Sequence, residues 1–267
     1  MVKDMTIGQY YNVDSVIHRL DSRVKIVFSL IYVITLFLAR NPVLYLLAFI
    51  VLAAYIKLSK VPLRFIFKGV KALGMIIVFT IVLNLFSVGG ADVLVEWHFL
   101  KITKAGMESA IYLGLRLVFM IIGSSMMTYT TTPNALTDGL EKMLGWMNKL
   151  HIPVHEIAMI MSIALRFVPI LMEELDRIMK AQMARGIDFK EGNLFVRLKK
   201  LMPIIVPLFV SAMRRSDELA MAMDARCYHG GDGRTKMKPL QYRRIDYIAY
   251  GLIFVFLSAM IFCAFSF

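Results

Sequence analysis

Apolar residues fall into five runs, and the polar stretches between them differ sharply in character. The first two runs, 26–39 and 43–56, are short and are parted by Arg40-Asn41-Pro42. Each lies below the roughly 17–25 residues that a membrane-crossing helix uses, so the pattern allows a tight hairpin of two short spans or one broken span, and favours the hairpin. Longer runs follow at 72–88, closed by Gly89-Gly90, and at 109–130, and a last one at 246–265 ends the chain. Between 131 and 244 the pattern changes from continuous to periodic. Thr132-Pro133 there reads as an N-cap followed by proline at the first helical position. The helix it opens carries Leu136, Leu140, Met143 and Met147 on one face.

Two long amphipathic helices come next, within 153–228. On a wheel of 100° per residue the first gathers Ile157, Met161, Ala164, Val168, Leu171, Leu175 and Met179 into one stripe. Arg166, Glu173, Arg177 and Lys180 fall opposite. The second helix aligns Ile205, Phe209, Ala212, Ser216, Leu219 and Met223, with Arg214, Asp217 and Glu218 pointing away. Both end on the same tail. Ala181-Gln182-Met183-Ala184-Arg185-Gly186 is repeated as Ala222-Met223-Asp224-Ala225-Arg226-Cys227, and the same alignment superimposes Asp176 on Asp217 and Ile178 on Leu219. A basic residue in a last helical turn complements the helix dipole, but that role asks only for Lys, Arg or His. It does not ask for the same small-residue setting twice. A guanidinium at a helix end can enter a pocket on another protein and make forked hydrogen bonds, and two matching plugs call for two matching sockets.

Composition sets the environment. Of 267 residues, 58 % are hydrophobic and 19 % charged, and mean hydropathy is +0.66, the balance of a multi-span membrane protein. A net charge of +12 raises nucleic acid as a partner, but the basic residues segregate by loop. Placing 1–25, 57–71 and 133–244 inside puts 27 of the 31 Lys and Arg on the cytoplasmic side, as the positive-inside rule requires. That fixes five spans with the amino terminus in and the carboxyl terminus out. Extra spans at 157–172 and 201–213 are rejected: the first would bury Arg166, and the second is too short. The expected fold is an all-α integral membrane protein of about five transmembrane helices with a cytoplasmic module of amphipathic helices. Its domains are 1–130 (about four spans), 131–244 (the module) and 245–267 (the last span). Asp4 precedes any apolar run, so no cleavable signal peptide is expected.

Chemistry-bearing motifs are sparse. No Gly-x-x-x-x-Gly-Lys-Ser/Thr loop exists to cradle a nucleotide phosphate. His151 and His155 stand four apart beside Glu156, but Pro153 lies between them and argues against one helix face holding a metal. His18 with Asp21 reads as a turn contact ahead of the first span, and His229 with Asp232 as loop. Cys227 and Cys263 form neither a disulfide framework nor a metal spacing. Arg116 is the one charge well inside a span; snorkelling, a polar seam and a partner subunit are equal readings for it. The methionines, 20 in all, crowd the amphipathic helices, either as core or as a surface that re-packs while sliding on partners.

Together these residues resemble the transmembrane coupling subunit (EcfT) of energy-coupling-factor transporters, importers of vitamins and metals powered by ABC-type ATPases. The similarity covers nearly the whole chain. It runs through Gly8-Gln9-Tyr10, His18-Arg19-Leu20-Asp21, Thr131-Thr132-Pro133, Ala164-Leu165-Arg166-Phe167, Arg214-Arg215 and the two Ala-Arg tails. Ser22 stands where the family commonly has Pro, and Cys227 where the second tail commonly has Gly, which makes that helix stop less certain. The resemblance implies a non-catalytic subunit of the bacterial cell membrane. Arg185 and Arg226, set among Ala181, Ala184, Gly186, Ala222 and Ala225, would dock into two ATPase subunits. Asp176, Asp217, Arg166, Glu173 and Arg214 would support the coupling helices. ATP and magnesium would sit on the ATPases and no cofactor on this chain. A separate small membrane subunit would bind the vitamin, the remaining surface would meet the lipid bilayer, and no nucleic acid would bind. The alternatives are a membrane-embedded lipid-modifying enzyme using His18/Asp21 or His151/His155/Glu156, and a stand-alone secondary transporter. The latter predicts inverted repeats and paired intramembrane charges; the chain offers neither beyond Arg116.

Overall fold

The structure is a computed structural model describing residues 10–39, 41–87, 93–97, 100–189, 193–230, 237 and 239–266. Its described residues are almost entirely helical, with a single strand pair. The elements in order are α1 (Ser22–Leu38), α2 (Pro42–Ser59), α3 (Leu63–Ser87), β1 (Val93–Trp97), β2 (Leu100–Thr103), α4 (Lys104–Thr130), α5 (Pro133–Leu144), a 3₁₀ turn (Gly145–Leu150), α6 (Val154–Ala184), α7 (Leu194–Asp224) and α8 (Arg244–Ser266). β1 and β2 pair antiparallel within a stretch that the sequence presents only as mixed in charge. Two compact units result: Gly8–Gly139 with Leu240–Phe267, and Leu140–Pro239.

The first unit is built on α1. Asp21 caps it by accepting the Arg23 amide at 2.9 Å, and holds the Arg23 guanidinium at 2.8 Å. Ser22 takes the first helical position, where proline's missing N–H would cost nothing, so the helix start survives its departure from the family's common Pro. Burial raises the Asp21 carboxyl, but hydrogen bonds and charge from Arg23 outweigh it, leaving it below the usual carboxylate range. Tyr32 and Leu36 are wholly buried about three and four turns further along. Phe28 packs on Tyr55 of α2 at 4.9 Å between ring centroids, and Tyr32 stacks on Phe256 of α8 at 6.2 Å. Small residues admit this packing: a Cβ on Gly123 of α4 would lie 2.6 Å from the Tyr32 ring, and one on Gly114 2.8 Å from Ile81 of α3.

Both ends of α1 are tied to α4. Lys25 Nζ donates to the Thr130 carbonyl at 2.8 Å, and Arg116 Nη2 donates to the Ala39 carbonyl at 3.0 Å, with the Arg116 guanidinium 5.8 Å from the Phe37 ring centroid. Arg116 thus closes the C-terminus of α1 from a neighbouring helix, satisfying a carbonyl that has no intrahelical donor. Its role is a seam within this unit.

Five described helices are long and apolar enough to cross a membrane: α2, α3, α4, α6 and α8. The number agrees with the sequence reading; the membership differs. At 17 residues, about 26 Å by helix rise, α1 is short for a span. At 31 residues α6 is long enough on length and composition alone, despite Arg166. α3 also begins at Leu63, nine residues before the predicted 72, and so takes in Arg64, Lys68 and Lys71.

In the second unit α6 and α7 form an antiparallel pair. Gln182 of α6 lies beside Pro203 of α7, Glu174 beside Arg215 at 4.0 Å, and Ile163 lines one cleft with Met223. The predicted stripes are used in part. Leu171, Leu175 and Met179 of the first and Ala212, Leu219 and Met223 of the second are half-buried, with Gln182 and Ile204 buried beside them, whereas Ile157, Met161, Ile205 and Phe209 stay exposed, Phe209 by 62 %. The wheel located the apolar face but not the polar contact within the pair: Pro207 leaves the Pro203 carbonyl of α7 without a helical donor, and α6 turns Gln182 toward it. The remainder of the apolar face stays exposed.

Candidate functional site

The site is the pair of helix ends carrying Arg185 and Arg226. At the first, Ile187 N–H donates to Gln182 O at 3.1 Å and Gly186 N–H to Met183 O at 3.0 Å. At the second, Tyr228 N–H donates to Met223 O at 3.1 Å and Cys227 N–H to Asp224 O at 2.9 Å. The 41-residue repeat in sequence is therefore a repeat in hydrogen bonding, bond for bond. Both ends close as a Schellman turn, with the arginine as the last residue before a left-handed one. That residue is Gly186, φ +89°, in one and Cys227, φ +56°, in the other. The doubt over the second stop is thereby resolved: a cysteine makes the turn that glycine makes in the first. A side chain in this conformation costs about 1–2 kcal/mol, of which glycine's extra unfolded-state freedom offsets a part. Cys227→Gly is accordingly expected to raise the stability of this turn by about 0.5 kcal/mol, seen as slower amide exchange at Tyr228.

Arg185 and Arg226 are both exposed, as are Ala181, Ala184, Ala222 and Ala225 around them. Among the described residues neither guanidinium meets a carboxylate. The small neighbours leave each guanidinium standing clear of its own helix, so a partner can surround it. Because the helices are antiparallel, the two ends lie at opposite ends of the pair. Arg226 lines a cleft of about 680 Å³ with Ser162 and Arg166, some 23 residues back along α6 from Arg185. At 1.5 Å per residue that separates the tips by about 35 Å.

The other singled-out residues divide. Arg166 shares the Arg226 cleft with His229. Glu173 meets Arg177 at 3.9 Å in an exposed i,i+4 pair, a contact worth only tenths of a kcal/mol. Asp217 and Arg214 are exposed and Asp176 is half-buried; none of the three is drawn into the tips. Sequence reasoning missed Gln182. Pro207 has no N–H to donate to the carbonyl of Pro203, four residues earlier, and Gln182 Nε2 donates to that carbonyl at 3.4 Å. The same residue's own carbonyl anchors the first turn, so Gln182 fastens one tip to α7. Two prolines four apart were the available signal.

The histidine pairs separate. His18 Nε2–H donates to the Tyr11 carbonyl at 3.0 Å, and the Ser15 hydroxyl donates to Nδ1 at 2.7 Å. Burial holds this imidazole below its ordinary range, in the neutral form that these bonds require. Asp21 is engaged with Arg23 instead. His155 Nδ1 bonds Glu141 at 2.8 Å, and His151 sits in a left-handed turn ahead of Pro153, off that helix. Among the described residues no three His, Cys, Asp or Glu gather as a metal cluster would.

A unit of apolar helices joined in one chain to an antiparallel pair with duplicated cationic tips defines a multi-pass membrane protein with two exposed basic helix ends. Comparison with known proteins agrees. Residues 14–237 match the family of the cobalt transport protein CbiQ. The energy-coupling factor transporter transmembrane protein EcfT of Clostridium kluyveri is 52 % identical over 250 residues, 93 % of each chain. Its counterpart in Ruminiclostridium cellulolyticum is 46 % identical over 261 residues, 98 % of this chain and 97 % of the relative, and that of Bacillus subtilis 43 % over 246, 92 % and 93 %. The chain belongs to the EcfT family, the transmembrane proteins of energy-coupling factor transporters.

Proposed function

We propose that this chain transmits motion from two ATPase subunits to a separate micronutrient-binding membrane subunit, and that Arg185 and Arg226 are its two docking plugs. One observation carries the reading: two arginines cap the same turn twice, at ends about 35 Å apart. No single pocket can receive both. A pair of like subunits, each offering one socket, can. On this reading ATP binding draws the two ATPase subunits together, and α6 and α7 convert that approach into a change of crossing geometry. The exposed apolar faces of both helices, including Ile157, Met161, Ile205 and Phe209, suit a greasy partner. α6 then serves as a lever rather than a span, since Arg166 near its middle would otherwise be carried into hydrocarbon. The nucleotide and magnesium belong to the ATPases and the vitamin to the substrate-binding subunit, with the chain in the cell membrane and its amino terminus inside.

Single replacements test the plugs. Arg185→Ala or Arg226→Ala removes one set of charge-assisted hydrogen bonds, about 1.5–3 kcal/mol. ATPase recovered with the purified chain should fall about tenfold or more in stringent washes, with helical circular dichroism unchanged. Full recovery with both single variants counts against the plug role.

A further inference from the structure

The first unit holds a groove that the coupling role does not use. It lies between α1, α2 and α8 and has a volume of about 370 Å³. The turn ahead of α1 and the first turns of α1 line it from Ile17 to Phe28, α2 from Leu47 to Leu58 and α8 from Ala249 to Ala259, so it runs along the helix axes for about 16 Å. α8 runs parallel to α1, since Asp21 N–H donates to Asp246 Oδ1 and Tyr32 stacks on Phe256. Alanines at 54, 249 and 259 keep it open where larger side chains would fill it. Val24, Ile253 and Phe256 are buried in its floor, and Ala54, Leu58, Leu252 and Val255 form an exposed rim. The lining is apolar except near one end.

There stands Lys25, only 4 % exposed. Two of its three donors reach the carbonyls of Thr130, at 2.8 Å, and His18, at 3.3 Å. The third has no protein acceptor among the described residues. Its charge is already balanced. Asp21 and Asp246 supply two negative charges close by, and Lys25 and Arg23 two positive ones. The open requirement is therefore one hydrogen-bond acceptor without a net charge, followed by a long apolar body.

We propose that this groove holds one acyl chain of a bilayer glycerolipid, whose ester carbonyl accepts the free Lys25 donor. The charge balance around Lys25 makes the site indifferent to the headgroup. A protein helix does not fit the requirement, because its backbone carbonyls are spent within the helix, and a slot one chain wide does not admit its girth.

The test is native mass spectrometry of the full chain, in complex with its partners, extracted from vesicles of phosphatidylcholine or of phosphatidylglycerol. The wild type should retain one lipid per chain from either vesicle. Ala54→Phe with Ala249→Phe should lose that lipid while the circular-dichroism melt and the co-purified subunits stay unchanged. Lys25→Met should cut retention about tenfold. Equal lipid retention by the filled-groove variant overturns the proposal. So does retention from phosphatidylglycerol alone, which would mark an anion site. Loss of a partner subunit rather than lipid would show the groove to be a protein interface and likewise overturn it.

Discussion

Replacing both tip arginines, Arg185→Ala with Arg226→Ala, is expected to abolish ATPase association and leave the membrane unit folded. On the proposed reading the two contacts act on one assembly, so the second binding event is intramolecular and its effective concentration is high. Losing one tip leaves a singly tethered complex; losing both removes the tether, and the combined effect should exceed 100-fold. The turns themselves should survive, because their hydrogen bonds come from backbone N–H groups at 186, 187, 227 and 228 and not from the guanidinium. Arg185→Lys with Arg226→Lys separates charge from shape. An ammonium keeps the dipole complementation at each helix end but lacks the planar fork. If the tips only complement the dipole, the lysine variant retains the ATPases in full; if they are plugs, it recovers a small part. Pull-down with the complex solubilised in mild detergent reads the difference.

The second large effect falls on Asp246. This carboxylate is 1 % exposed and accepts two backbone N–H groups, that of Arg243 at 2.7 Å and that of Asp21 at 2.9 Å. One oxygen thus caps α8, and the other ties it to the entry of α1. Asp246→Ala leaves the buried Asp21 donor and the part-buried Arg243 donor without their acceptor and removes a counter-charge from Lys25. The expected cost is about 2–5 kcal/mol, from one to three for each buried polar group left unpaired. Asp246→Asn keeps one carbonyl acceptor and should recover part of the loss. Thermal denaturation in detergent would show a strongly lowered midpoint for Ala, an intermediate one for Asn and the wild-type value for a change at exposed Phe254. Equal midpoints for Ala and Asn would mean that the buried acceptor is not what holds α8.

The tips were legible because a turn is local: small residues, an arginine and a left-handed position occupy consecutive places and recur 41 residues later. The cap at Thr132 was legible for the same reason, and its hydroxyl does accept the Ala135 amide at 3.3 Å. The packing face of α6 and α7 was legible only in part. A wheel ranks faces by apolarity and does not register the Pro203 carbonyl that Pro207 leaves for Gln182, nor that Ile157, Met161, Ile205 and Phe209 stay exposed while Leu171, Leu175, Leu219 and Met223 are half-buried. Arg116 was undecidable because its acceptor, the Ala39 carbonyl, lies 77 residues away in sequence. The span count agreed while its membership did not, since 17 residues of α1 and 31 of α6 bracket the length at which hydropathy can discriminate.

The claim on which all of this rests is that the two tips reach two different sockets at once. A photo-crosslinking amino acid placed at both Ala184 and Ala225, beside the retained arginines, tests it in the assembled transporter. Illumination should yield a covalent species containing this chain and two ATPase polypeptides. A product that never carries more than one ATPase chain, or carries only lipid, would contradict it.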